Sequence, residues 1–139
     1  MSSKRKAIRE AVVAALLEED ATSAGERVFD SRVVNYFDLE MPAIAVYTRE
    51  EFGEPQNIGQ TPTNRTLQVV IECVVAGSGD SVEGDLDDLI DEVETIMSSA
   101  DSFGEAYQWY LTSVDTDASA DGERILAAAA MTYEMRYIA

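Results

Sequence analysis

The residues with most chemical potential in this chain are its acids and its single thiol, Cys73. Acids crowd one stretch, with Asp80, Glu83, Asp85, Asp87, Asp88, Asp91, Glu92 and Glu94 in quick succession. A calcium loop needs alternating oxygen ligands, a central glycine and a closing glutamate, and this spacing supplies no such order. General acid–base work needs a carboxyl whose pKa is raised by an apolar setting, and none of these acids stands in one. The same acids fit the start of a helix, where the backbone dipole favours negative charge, and Asp80 with Glu83 has capping-box spacing. They read as a solvated acidic helix face.

Cys73 lies in TLQVVIECVVA, in register with Leu67, Val69, Ile71 and Val75. The chain has no histidine, so a Cys–His pair cannot form and the commonest general base and transition-metal ligand are both missing. Cys73 therefore reads as a buried structural thiol. There is no glycine-rich phosphate loop, no Ser/His/Asp set and no basic patch interleaved with aromatics. No catalytic residue, no metal ligand and no cofactor are expected, and the protein is read as not an enzyme.

Charge narrows the class further. With 27 acids against 10 bases the chain carries net −17, which repels phosphate backbones and disfavours nucleic-acid binding by counterion release. No apolar run approaches the roughly 20 residues of a membrane-spanning helix. MSSKRK leads into an amphipathic pattern and not a continuous apolar segment, so no signal peptide is read. A lone cysteine excludes an internal disulfide. At 139 residues the chain is expected to form one domain, burying about two-thirds of its unfolded surface.

The elements follow from periodicity. Residues 3 to 20 read as a helix, with Ile8, Val12 and Leu16 at spacings of four, Val13 and Leu17 widening the stripe, and Ser2 or Ser3 as cap. Its opening bases Lys4, Arg5 and Lys6 read as a solvated helix start. Arg27 to Asp30 and Val33 to Phe37 read as short extended pieces. Met41 to Thr48 reads as a buried strand entered through Pro42. Thr66 to Ala76 is the strongest strand, with one wholly apolar face and a mixed one carrying Gln68, Val70, Glu72 and Val74. A second helix runs to about residue 99, with Leu86, Leu89, Ile90, Val93, Ile96 and Met97 on its apolar face. Ala106 to Val114 alternates Tyr107, Trp109 and Leu111 onto one side. An acidic turn, Asp115 to Glu123, joins it to a last strand, Ile125 to Ile138, where Met131, Tyr133, Met135 and Tyr137 share a face.

These pieces predict an α+β fold, a mainly antiparallel sheet of about four strands with two helices packed on one face. Between the two strongest strands, Arg49 to Arg65 has two glycines, two prolines and no apolar period, and predicts a long projecting loop.

Three strings taken in order carry a resemblance. They are the opening helix RKAIREAVVAALLEED, the segment VFDSRVVNYFDLEMPAIAVYTREEF with its Phe-Asp turn and Pro-Ala-aliphatic-Ala-Val-Tyr strand, and the closing MTYEM. Together they resemble the minor tail protein U family, the tail terminators of lambda-like long-tailed phages. The resemblance implies a virion protein, assembled in the host cytoplasm, that forms a homohexameric ring on the finished tail tube. Such a ring stops polymerisation of the tube protein and offers the surface that joins the head-completion or connector protein. DNA would pass through without being read, and an acidic lumen would not hold it.

A closed ring needs two different patches that meet on neighbouring subunits. The candidates are the mixed strand face, Gln68, Val70, Glu72 and Val74, with Asp80 at the helix start. For contact with tube or head, the candidates are Arg49, Glu50, Phe52, Gln56, Asn57 and Arg65 in the long loop. The competing expectation from charge alone is an acidic mimic of DNA that blocks a DNA-binding protein.

Overall fold

A computed structural model describes residues 3–18, 21–30, 41–53, 64–77, 81–121 and 124–139. Helix α1 spans Lys4–Leu17 and begins where the Ser3 hydroxyl accepts a hydrogen bond from the Lys6 amide. Its buried stripe is Ile8, Val12 and Leu16; Val13 is partly buried and Leu17 exposed, so the apolar face is narrower than the sequence suggests. Helix α2 spans Val82–Ser99 and buries Val82, Leu86, Leu89, Val93 and Met97, with Ile90 and Ile96 at the margin. Glu83 and Asp85 occupy its first turn, as the dipole favours. Ser81 precedes the helix without a side-chain capping bond, and Asp80 lies outside the described residues.

One five-stranded sheet carries both helices, in the order β1-β2-β3-β5-β4. The strands are β1 (Val28–Phe29), β2 (Ala43–Gly53), β3 (Asn64–Gly77), β4 (Gln108–Asp121) and β5 (Arg124–Ile138). All neighbours are antiparallel except β1, which runs parallel to the start of β2. The expected count of about four strands is one short because β1 is only two residues long, too brief to show a period. Arg27 holds it in place. Its carbonyl accepts from the Ile44 amide at 2.8 Å, and its Nε donates to the Pro42 carbonyl at 2.8 Å. Val33 to Phe37 falls outside the described residues.

β3 is central, paired along its length with β5. Leu67, Val69, Ile71, Cys73 and Val75 align with Met135, Tyr133, Met131, Ala129 and Ala127, and all ten are buried in the core beneath the helices. α1 packs over β1 and β2, and α2 over β3 and β5. A fully buried aliphatic or methionine side chain contributes about 1.5–3 kcal/mol, so this double row is the main stabilising feature of the sheet. The run Ala127–Ala130 splits between the faces. Ala127 and Ala129 are buried on the helix side, and Ala128 and Ala130 are half-buried on the other. Small side chains there let α2 approach β5, against the strong helix propensity of alanine.

Two irregularities displace the boundaries read from sequence. A shift in register between Thr48 and Glu51 lets β2 continue to Gly53, pairing Glu51 with Leu67 and Phe52 with Thr66. The expected loop at 49–65 is thus strand at both ends, and only 54–63 remains outside the described residues. A second shift, between Leu111 and Ser113 in β4, exchanges the faces of that strand. Trp109 and Leu111 point to the helix side before it; Val114 and Thr116 do so after it, aligned with Met131 and Ala129. β4 then runs on to Asp121, so most of the predicted acidic turn is strand. Polar residues are tolerated there because the ladder with β5 and not burial holds them, and both faces are exposed from Asp115 to Ser119.

Candidate functional site

The contact candidates converge on one end of the sheet, where α1 begins and β2, β3, β4 and β5 come level. Phe52 pairs with Thr66, Thr66 with Arg136, and Arg136 with Gln108, which makes one transverse row across four strands. Glu51 sits beside this row and is its electrostatic centre. Arg5 of α1 donates to both Glu51 oxygens, Nε at 2.9 Å and Nη2 at 2.8 Å. The Tyr137 hydroxyl of β5 donates to Oε1, and the Arg65 guanidinium of β3 stands 3.8 Å from Oε2.

These partners set the protonation states. The Arg5 hydrogen bond, aided by Tyr137 and Arg65 and opposed by partial burial, holds the Glu51 carboxyl below the usual carboxylate range. Burial and the bond to Glu51 push the Tyr137 hydroxyl up, so it remains a donor. Lys4 completes the clamp, donating to the Ile138 carbonyl at 2.9 Å and pairing with Glu105 at 3.2 Å. The opening bases therefore differ from the solvated helix start expected of them. Lys4 and Arg5 bind the ends of β2 and β5, and Arg9 further along pairs with Asp30.

Of the loop candidates, Arg49, Glu50 and Phe52 are exposed on β2, and Arg65 is half-buried on β3 facing Glu51. Gln56 and Asn57 lie outside the described residues. The mixed face of β3 differs from expectation. Gln68 and Glu72 are half-buried, but Val70 and Val74 are each only 2% exposed, so those two valines pack within the subunit. Asp80 lies outside the described residues.

Sequence reasoning named Phe52 but missed the exposed apolar side chains that accompany it at the same end. Tyr107 is 52% exposed, Tyr110 42%, Ile138 56% and Phe52 48%. The available signal was Tyr110 itself, out of phase with the buried-side pair Trp109 and Leu111. α2 holds the first half of β4, where the Trp109 indole donates to the Met97 carbonyl at 2.9 Å, but not the second: an open groove of about 570 Å³ lies there, lined by Val82, Leu86, Thr116, Ala118, Ile125 and Ala127. Among the described residues, no three His, Cys, Asp or Glu side chains come together as a metal group would require. The arrangement is a clamped sheet end presenting aromatic and aliphatic side chains, a surface suited to contact with another protein.

The family model for phage minor tail protein U matches residues 3–137. The chain belongs to the phage minor tail protein U family. It is accordingly a structural component of the virion tail. No curated protein sequence matches it. Among solved structures it is similar to a chain in the virion of a native gene transfer agent particle, at 12% identity and a TM-score of 0.68, covering 100% of each chain. At that identity the likeness is one of fold.

Proposed function

We propose that this tail protein is a tail terminator. It assembles as a homohexameric ring on the tail tube, stops addition of tube protein, and offers the surface to which the head-completion or connector protein binds. Its role is non-enzymatic. The observation that carries the proposal is the match to the minor tail protein U family from residue 3 to residue 137, which takes in every described helix and strand but for the last residue of β5. The clamped sheet end, with Phe52, Tyr110 and Ile138 exposed, supports it by supplying a surface for protein contact. The net charge of −17 suits a ring through which DNA passes without being held.

The deciding experiment adds the purified protein to polymerising tube protein and measures tube lengths by electron microscopy. A terminator shortens and narrows the length distribution and appears as a six-fold ring at one tip. An unchanged distribution would sink the proposal. The charge alone also favours an acidic DNA mimic, and that alternative predicts a tight, salt-sensitive complex with a DNA-binding protein and no effect on tube length.

A further inference from the structure

The sheet has two unequal edges, and most of the exposed apolar side chains lie on or near them toward one end. On one side, β1 pairs only with Ile44 and Ala45, so residues 49–53 of β2, bordered by β3 on their inner side, have no strand neighbour on their outer side among the described residues. On the other side, β4 is the last strand, paired with β5 alone. Phe52 and Gln108 occupy the same transverse row. Phe52 stands at one edge, and Tyr107, Tyr110 and Val114 at the other; of the described large apolar side chains that are exposed, only Leu17 and Ile138 lie off these edges, and Ile138 caps the same end.

An unpaired strand without proline, lysine or glycine is a template for another strand, and β4 contains none of these. Charge selects the occupant. Two copies of a −17 chain repel one another, so a contact between copies must fall where charge is absent or compensated. Residues 106–114 carry no charged side chain at all. Across from them, Glu51 is already neutralised by Arg5 and Arg65, and Arg49 stands next to Glu50.

Direction agrees as well. β2 and β5 both run antiparallel to β3, and β4 runs antiparallel to β5, so β4 opposes β2. Rotation about an axis along the strands leaves these directions unchanged, so successive copies bring β4 against β2 in the antiparallel sense, which allows hairpin-like pairing. We propose that the uncharged first half of β4 in one copy adds antiparallel to residues 49–53 of β2 in the next copy, so that neighbouring subunits share one continuous sheet. The contact is heterologous, as a closed ring demands. The inference rests on the ring assigned above and names the surfaces that build it.

The test uses the full-length protein with single cysteines at exposed positions, Phe52→Cys in one preparation and Gln108→Cys or Tyr110→Cys in another. Cys73 is buried and stays silent. Paired strands hold Cα atoms about 4.5–5.5 Å apart, within disulfide range. Oxidation of the mixture is expected to give covalent dimers that neither preparation gives alone, and Tyr110→Glu is expected to abolish the oligomer seen by native mass spectrometry. Like-with-like dimers overturn the proposal by showing a two-fold contact. An oligomer whose cysteines never cross-link overturns it while leaving the ring intact. A monomer at every concentration, with or without tube present, also overturns it, and the tube-length assay then judges the terminator assignment separately.

Discussion

The Tyr137 hydroxyl donates to the Glu51 carboxylate, joining the last turn-distal residues of β5 to the far end of β2 across the intervening strand β3. Arg5 reaches the same carboxylate from α1. One acid therefore fastens three elements, and its loss should be felt at a distance from its own strand.

Glu51 also gives the fold an acid-sensitive limb. Its carboxyl is held below the ordinary value of about 4.5, chiefly by the Arg5 hydrogen bond. The folded state thus binds fewer protons than the unfolded chain. The stabilisation is complete above the unfolded value and is lost as pH falls through the lower folded one. Glu51→Gln should lower the melting temperature at neutral pH, costing on the order of 1.5–3 kcal/mol for a charge-assisted bond. It should also flatten the fall of melting temperature between neutral and acid pH, measured by calorimetry. An unaltered acid limb would remove Glu51 from this role.

Gly104 and Gly25 separate strain from crowding. Both have φ near +60°, at 58° and 59°, where an L side chain costs on the order of 1–2 kcal/mol. A Cβ at Gly25 meets nothing within 4 Å, whereas one at Gly104 comes within 3.2 Å of the Ile8 backbone nitrogen and 3.3 Å of the Ala7 carbonyl. Gly104→Ala should therefore destabilise clearly more than Gly25→Ala in denaturant melts. Equal losses would mean that α1 yields at no cost.

Cys73 should be chemically silent while the protein is folded. Burial pushes its thiol up to about 12, and the thiolate is the reactive form. Labelling by a disulfide reagent at pH 8 should follow the unfolding rate and become fast in denaturant. Rapid labelling of the native protein would place Cys73 outside the core.

The alanines of β5 should tell the two sheet faces apart. Ala129→Leu forces a larger side chain beneath α2 where exposure is 0%, and overpacking of this kind costs about 1–3 kcal/mol. Ala128→Leu falls on the half-buried opposite face and should cost much less. Comparable melting temperatures for the two would contradict the assignment of Ala129 to the helix side.

Much of this architecture was legible because apolar residues repeat where burial is one-sided. Met131, Tyr133, Met135 and Tyr137 alternate and are all buried, and Leu86, Leu89, Val93 and Met97 keep helical spacing and pack on the sheet. What escaped was structure held by pairing and not burial. β1, read only as a short extended piece, has no period that would make it a strand of the sheet, and the second half of β4 is polar where its side chains are exposed. The end of β2 lost its alternation at the irregularity before Glu51. The clamp escaped for another reason. Arg5 and Glu51 lie 46 residues apart, and periodicity carries no information on which distant acid a base will meet. The exposed aromatics were visible as residues but not as a surface, since Phe52 and Tyr107 become neighbours of one sheet end only through strand order.

The irregularity between Leu111 and Ser113 governs the parity of everything that follows it in β4. Upstream, odd-numbered residues face the helices; downstream, even-numbered ones do. With that single extra residue, Asp115 and Asp117 fall on the side away from α2, opposite Ala130 and Ala128. Regular pairing through Thr112, with no bulge, would turn both carboxylates to the helix side, opposite Ala129 and Ala127, against the margin of the core. Ironing out the bulge without shortening the strand would thus act on it as a frameshift acts on a message, leaving each later residue intact but delivered to the wrong side.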